Sequence, residues 1–305
     1  MNTMSKEHFH HHPIVTGKNL VIPIILNIGI TVAQIIGGLL SGSIALLSDA
    51  AHNFSDVLAL ILSYIAARLS GRERTLTKTF GFKRAGIFAA FINAATLMII
   101  ATVLVQEAIE RLVNPRPIQG EIVIYLAALG ILFNGISALM VKKGASSDIN
   151  MRSAYLHLFT DMLTSVAVLI GGFAITYLGW YWIDGALTIA ISVYLIYSSW
   201  AIFYESLRIF MQFTPAQINI EEIAAEITLI QGVKNIHHVH SWKLDDHEMM
   251  FEAHLDLDKD YTISHFEIIL EKVGAILHRF DIHHFNIQPE WVRDDEKSLI
   301  NRLDH

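Results

Sequence analysis

Residues 37–60 read GGLLSGSIALLSDAAHNFSDVLAL, an apolar run broken by a short polar patch. His52 and Asp56 stand four residues apart in that patch, so a helix places both on one face. Ionisable groups inside an apolar helix are costly in lipid and mark function. The same spacing recurs as His157 and Asp161 within MRSAYLHLFTDMLTSVAVLIGG, residues 151–172. Between residues 20 and 211 these are the only two histidines. One such pair is explained by chance or by a helix–helix hydrogen bond, but two copies on two apolar segments are not.

Working outward, six apolar stretches run roughly over 20–41, 46–67, 85–106, 121–141, 154–178 and 182–204. Each approaches the ~20 residues that a helix needs to cross the hydrocarbon layer. The runs are continuous rather than alternating, which excludes a barrel. Basic residues gather in two connections. Arg68, Arg72, Arg74, Lys78, Lys83 and Arg84 lie around 68–84, and Lys142, Lys143 and Arg152 around 142–152. The positive-inside rule makes those loops cytoplasmic, together with both termini. Small residues such as Gly37-Gly38, Ala94-Ala95 and Gly171-Gly172 suit close helix packing.

Composition agrees. Of 305 residues 53% are hydrophobic and 17% charged, against about 25% charged in a soluble domain. Residues 1–212 carry 14 Lys/Arg against 11 Asp/Glu, and residues 213–305 carry 8 against 18. The acidic end and the lack of a base-reading motif argue against nucleic acid. Without cysteine there is neither disulfide nor thiolate site, leaving nitrogen and oxygen ligands. The first 18 residues are polar and His-rich, unlike a cleavable signal.

After Pro215 the texture changes. Residues 219–230 read as an amphipathic helix, 233–243 and 248–257 as strands, 264–279 as a helix and 282–289 as a strand. The expected fold class is a membrane all-α six-helix bundle followed by a small cytoplasmic α+β ferredoxin-like domain. The expected domains are a His-rich tail (1–18), the transmembrane domain (19–212), the cytoplasmic domain (213–291) and a charged, loosely held tail (292–305).

Two facing helices bearing His52, Asp56, His157 and Asp161 present two imidazoles and two carboxylates. That tetrahedral shell suits Zn²⁺ and admits Co²⁺ or Cd²⁺, whereas Mg²⁺ and Ca²⁺ prefer six or more oxygens. Two carboxylates neutralise a dication, and the metal-free set takes up protons in a low-dielectric setting. Metal binding releases those protons. One set of atoms thus serves metal and H⁺ in competition, which under alternating access is an antiporter. No Gly-x-x-x-x-Gly-Lys-Ser/Thr loop offers ATP as the drive. Asp49, seven residues before Asp56, reads as an auxiliary carboxylate or a helix-end group, and Asp184 as an N-terminal residue of the sixth helix.

The two quoted stretches resemble the second- and fifth-helix signatures of the cation diffusion facilitator family. FGFKRAGI (80–87), WYWIDGALTI (180–189) and VHSWKL (239–244) are similar to further motifs of that family. The resemblance covers about 18 to 290. It implies a homodimer exchanging Zn²⁺ or a related ion for H⁺, with zinc as substrate and regulator and no prosthetic group. It implies an integral protein of the cell (inner) membrane. The resemblance assigns His52, Asp56, His157 and Asp161 as the transport site, and histidine at both first positions resembles the zinc-transporting branch. It also assigns His237, His254 and His265, with Gln288, to a metal site in the cytoplasmic domain, with His238, His283 and His284 as competitors for that role. The sequence departs from the family in having no histidine in 68–83, Gln212 where a carboxylate partner for Arg84 is common, and Gly185 where proline is common.

His237 and His240 are read as sharing one strand face, with His254 on the next strand. His8, His10, His11 and His12 form a tail that either collects metal or is inert. Three other readings compete: a metal sensor without transport, an exporter selective for Mn²⁺ or Fe²⁺, and an intramembrane metalloenzyme. The last lacks a His-Glu-x-x-His helix and an open coordination position.

Overall fold

A computed structural model describes residues 18–142, 149–245, 248–294 and 296–300. The histidines at 8–12 lie outside the described residues. Six long helices come first: α1 (Lys18–Ser41), α2 (Ile44–Ser70), α3 (Ala85–Val113), α4 (Gly120–Lys142), α5 (Ile149–Leu178) and α6 (Trp182–Phe210). All six are long and apolar enough to cross a membrane. The C-terminal domain follows as α7 (Ile220–Thr228), β1 (Val233–Lys243), β2 (Met249–Leu257), α8 (Ile263–Arg279) and β3 (His284–Glu290).

By contact the chain divides into two compact units, Met1–Ile61 with Ala95–Ser199, and Leu62–Ala94 with Trp200–His305. In the first, α4 packs against both α1 and α5. Gly130 of α4 makes the close approach possible, since a Cβ there would lie 2.9 Å from Ser165 Oγ and 3.2 Å from Gln34 Nε2. Gly185, at the proline-like position, faces α3 equally tightly: an added Cβ would stand 3.0 Å from the Ala108 carbonyl.

The buried start of α2 needs a cap, because the first helical N–H groups have no partner within their own helix. Asp184 supplies it from α6. Its carboxylate accepts from Ser43 Oγ at 2.5 Å, Ile44 N at 2.9 Å and Ala45 N at 3.3 Å. Asp184 stands in the first turn of α6, as expected, and its carboxylate in addition serves the N-terminus of α2, where a negative charge complements the helix dipole.

In the second unit, Asn219 caps α7 by accepting from Glu222 N at 3.2 Å. The sheet order is β1-β2-β3, with β1 antiparallel and β3 parallel to β2. One sheet face holds the core, where Phe251, Ala253 and Leu255 meet Ile223 of α7 and Val273 and Leu277 of α8. The other face carries His254 and Asp256 of β2 beside Gln288 and Glu290 of β3. Three residues separate His237 from His240, which in a regular strand would put them on opposite faces. The ladder breaks between them, and they pair with His254 and Glu252, two residues apart. His238, at φ 50°, is the extra residue of this bulge. The shared face is thus real, but a bulge creates it.

Lys83, from the basic connection, reaches Glu248 at 2.7 Å and Asp245 at 3.7 Å, and the Glu248 hydrogen bond pushes its pKa up. Arg84 Nε donates to the Leu244 carbonyl at 3.3 Å.

Candidate metal sites

The membrane site forms where α2 meets α5. His52 Nε2 lies 2.8 Å from Asp161 Oδ1, and His157 Nε2 lies 3.2 Å from Asp56 Oδ2 and 3.6 Å from Asp161 Oδ2. The pairing is crossed, each imidazole meeting the carboxylate of the other helix. One ligand atom from each of the four residues lies within 4.8 Å of the others. The two imidazole rings meet edge to face at 5.5 Å. Among the described residues, the ion pairs of these four run only among themselves.

Exposure divides the site. The side chains of His52 and Asp161 are 11% and 1% exposed, whereas those of Asp56 and His157 are 21% and 46% exposed. The open pair lies one helical turn from the closed pair, towards the ends of α2 and α5 that border the basic connections. Beyond the closed pair is a buried polar chain. Asp49 accepts from Gln34 Nε2 of α1 at 2.6 Å and from Ser165 Oγ of α5 at 3.0 Å, and Asn53 donates to Gln34 Oε1 at 2.8 Å. Asp49 and Gln34 are 1% and 0% exposed. Their spacing could suggest Asp49, but only packing reveals that α1, α2 and α5 are joined through it.

The second site lies on the polar face of the C-terminal sheet. His237, His254 and Glu290 bring ligand atoms within 4.8 Å of one another, one residue from each strand. Glu290 stands 3.3 Å from His237 Nε2 and 2.9 Å from His254 Nδ1. Burial holds the His254 pKa below the ordinary imidazole value. His265 is not brought here. It lies at the start of α8, stacked on Tyr261 at 4.8 Å, and α8 covers the opposite sheet face. Gln288 donates to Glu290 at 3.0 Å. His238 stacks on His254 at 4.7 Å, while His283 pairs with Asp281 at 3.1 Å, away from the cluster. Glu290 eluded sequence reading because the expected strand stopped at 289. The signal is its i+2 spacing from Gln288, which places both on one face.

Comparison with known proteins matches residues 20–211 to the family described as cation efflux transmembrane domain, and residues 215–291 to the cation efflux protein, cytoplasmic domain. The chain is similar to the zinc transporter ZitB of Pectobacterium atrosepticum, at 34% identity covering 98% of this chain and 93% of the relative. It is likewise similar to the cadmium, cobalt and zinc/H(+)-K(+) antiporter of Bacillus subtilis, at 34% identity covering 95% and 94%. The metal cation efflux system protein CzcD of Cupriavidus metallidurans is 32% identical, covering 94% and 90%.

Proposed function

The chain belongs to the cation efflux family, the cation diffusion facilitators, and on that premise we propose that it exports Zn²⁺ from the cytoplasm in exchange for protons. It is an integral membrane secondary transporter of divalent metal rather than an enzyme. Cd²⁺ and Co²⁺ fit the same shell of two nitrogens and two oxygens.

One observation carries the reading: the crossed cluster of His52, Asp56, His157 and Asp161, with ligand atoms within 4.8 Å. Zinc bonds of about 2.0–2.2 Å require ligand atoms about 3.3 Å apart, so an ion draws the four together by roughly an ångström. In its absence, protons shared between each imidazole and the opposing carboxylate hold the same pairs. Deprotonated ligands bind metal and protonated ones release it.

The uneven exposure supports a cytoplasm-facing state. Asp56 and His157 receive the ion, while His52, Asp161 and the Gln34–Asp49–Ser165 chain close the far side. Both termini and the C-terminal domain are cytoplasmic in this reading, the membrane is that of the cell, and the working form is a homodimer. Expelling a dication against ~100 mV costs about 4.6 kcal/mol, which inward protons offset. At the C-terminal site, zinc on His237, His254 and Glu290 acts as a regulator that raises transport.

The test is ⁶⁵Zn²⁺ flux into everted vesicles. Uptake requires an acidic interior and stops when an ionophore collapses the pH gradient. Uptake that persists without the gradient rejects proton exchange, and absence of any flux with zinc still bound favours a sensor.

A further inference from the structure

The chain runs on past the last residue matched to the family, 291, and this extension is not loose where it is described. It returns along β1. His238 N donates to the Ser298 carbonyl at 3.3 Å and Val239 N to the Leu299 carbonyl at 2.9 Å. These two amides belong to the bulge, where the β1–β2 ladder is interrupted. The bulge thus turns two backbone donors away from β2 and the strap accepts them. Leu299 packs against the domain core, and Asn235 Nδ2 donates to the Lys297 carbonyl at 3.3 Å.

Held in this way, Lys297 places its ammonium inside the second candidate site. Nζ lies 2.9 Å from Asp256 Oδ1 and 3.3 Å from Glu290 Oε2. Arg293 Nη1 lies 2.9 Å from Glu290 Oε1. Two carboxylates are therefore matched by two fixed cations. A dication on Glu290 would raise the local charge to +2 with both cations in place. It would also compete with Nζ for the same carboxylate oxygen. Displacing Lys297 brings the site one charge nearer to balance.

We propose that Lys297 sets the metal affinity of the C-terminal site by holding the metal's place, and that zinc binding there ejects the residue 296–300 strap from β1. This rests on the reading of His237, His254 and Glu290 as metal ligands. Only the fraction of molecules with Lys297 withdrawn binds metal, so the apparent affinity is reduced by that fraction. Release also uncovers the His238 and Val239 amides and Leu299, giving the site a structural output.

The experiment uses the full chain in nanodiscs, with Asp161→Ala to silence the membrane site, and Zn²⁺ as the probe. Isothermal titration with Lys297→Gln gives zinc binding about tenfold tighter than with Lys297 intact. Lys297→Arg, which keeps the charge, retains the weak affinity. Adding His254→Ala to Lys297→Gln removes the binding. Hydrogen–deuterium exchange shows the His238 and Val239 amides losing protection as zinc is added. Equal affinity with and without Lys297→Gln, or unchanged protection at those amides, overturns the strap proposal and leaves the metal site standing. Zinc binding that His254→Ala does not affect, or no binding in any of these variants, overturns the ligand reading and the strap with it.

Discussion

The two candidate metal sites share imidazole and carboxylate chemistry but are built in opposite ways. The membrane site draws its ligands as i, i+4 pairs from two helices, and among the described residues its ion pairs run only within the cluster. The C-terminal site takes one ligand from each of three hydrogen-bonded strands, and Arg293 and Lys297 already neutralise its carboxylates. Helices that shift relative to each other can open and close a four-ligand cluster, so the first arrangement suits an ion that must leave. A sheet fixes its spacing, so the second suits an ion that is sensed. What changes there is the strap, not the ligand frame.

The largest effect expected to test this contrast is from Asp161→Ala. It removes the carboxylate shared by both imidazoles, and gradient-driven zinc uptake into everted vesicles should fall more than about a hundredfold, beyond the range for outer-shell groups. Uptake near that of the unaltered protein breaks the comparison outright. Asp49→Asn disturbs only the chain that joins α1, α2 and α5 behind the site. Uptake should drop about tenfold, as for an outer-shell partner, while zinc still binds. A change below twofold would detach that chain from transport.

His254→Ala sharpens the other half. Activation by zinc at the C-terminal site should be lost, lowering the uptake rate about fivefold, the low end of typical coupling, to a basal rate that still follows the pH gradient. Loss of uptake as deep as that from Asp161→Ala would make the C-terminal site part of the transport path. Asp184→Ala should have the mildest consequence for transport. Loss of the α2 cap should lower stability by about 1–2 kcal/mol in a nanodisc thermal melt, with zinc affinity kept. An unshifted melt would show that Ser43 and water suffice at that helix end.

How much was legible in the sequence differs between the sites for a physical reason. Helical periodicity is local, so His52/Asp56 and His157/Asp161 declared their shared faces within five residues each. Strand pairing is not local. Glu290 meets His237 across two ladders, one of them parallel, and His265 lies on a helix covering the opposite face. The His237/His240 face depends on a bulge at His238, and bulges leave little trace in composition.

By itself the sequence determined six apolar helices, a small α+β domain after them, and two His–Asp pairs in lipid, because burial of apolar surface and helical spacing are written residue by residue. Only the tertiary structure decided that the pairs cross between helices, that Asp184 caps α2, that Asp49 binds three helices, and that Lys297 sits among the carboxylates of the C-terminal site. Apart from the reach of Lys297 to Glu290, each of these joins groups at least fifteen residues apart in the chain, where contact depends on how whole elements pack rather than on which residues adjoin.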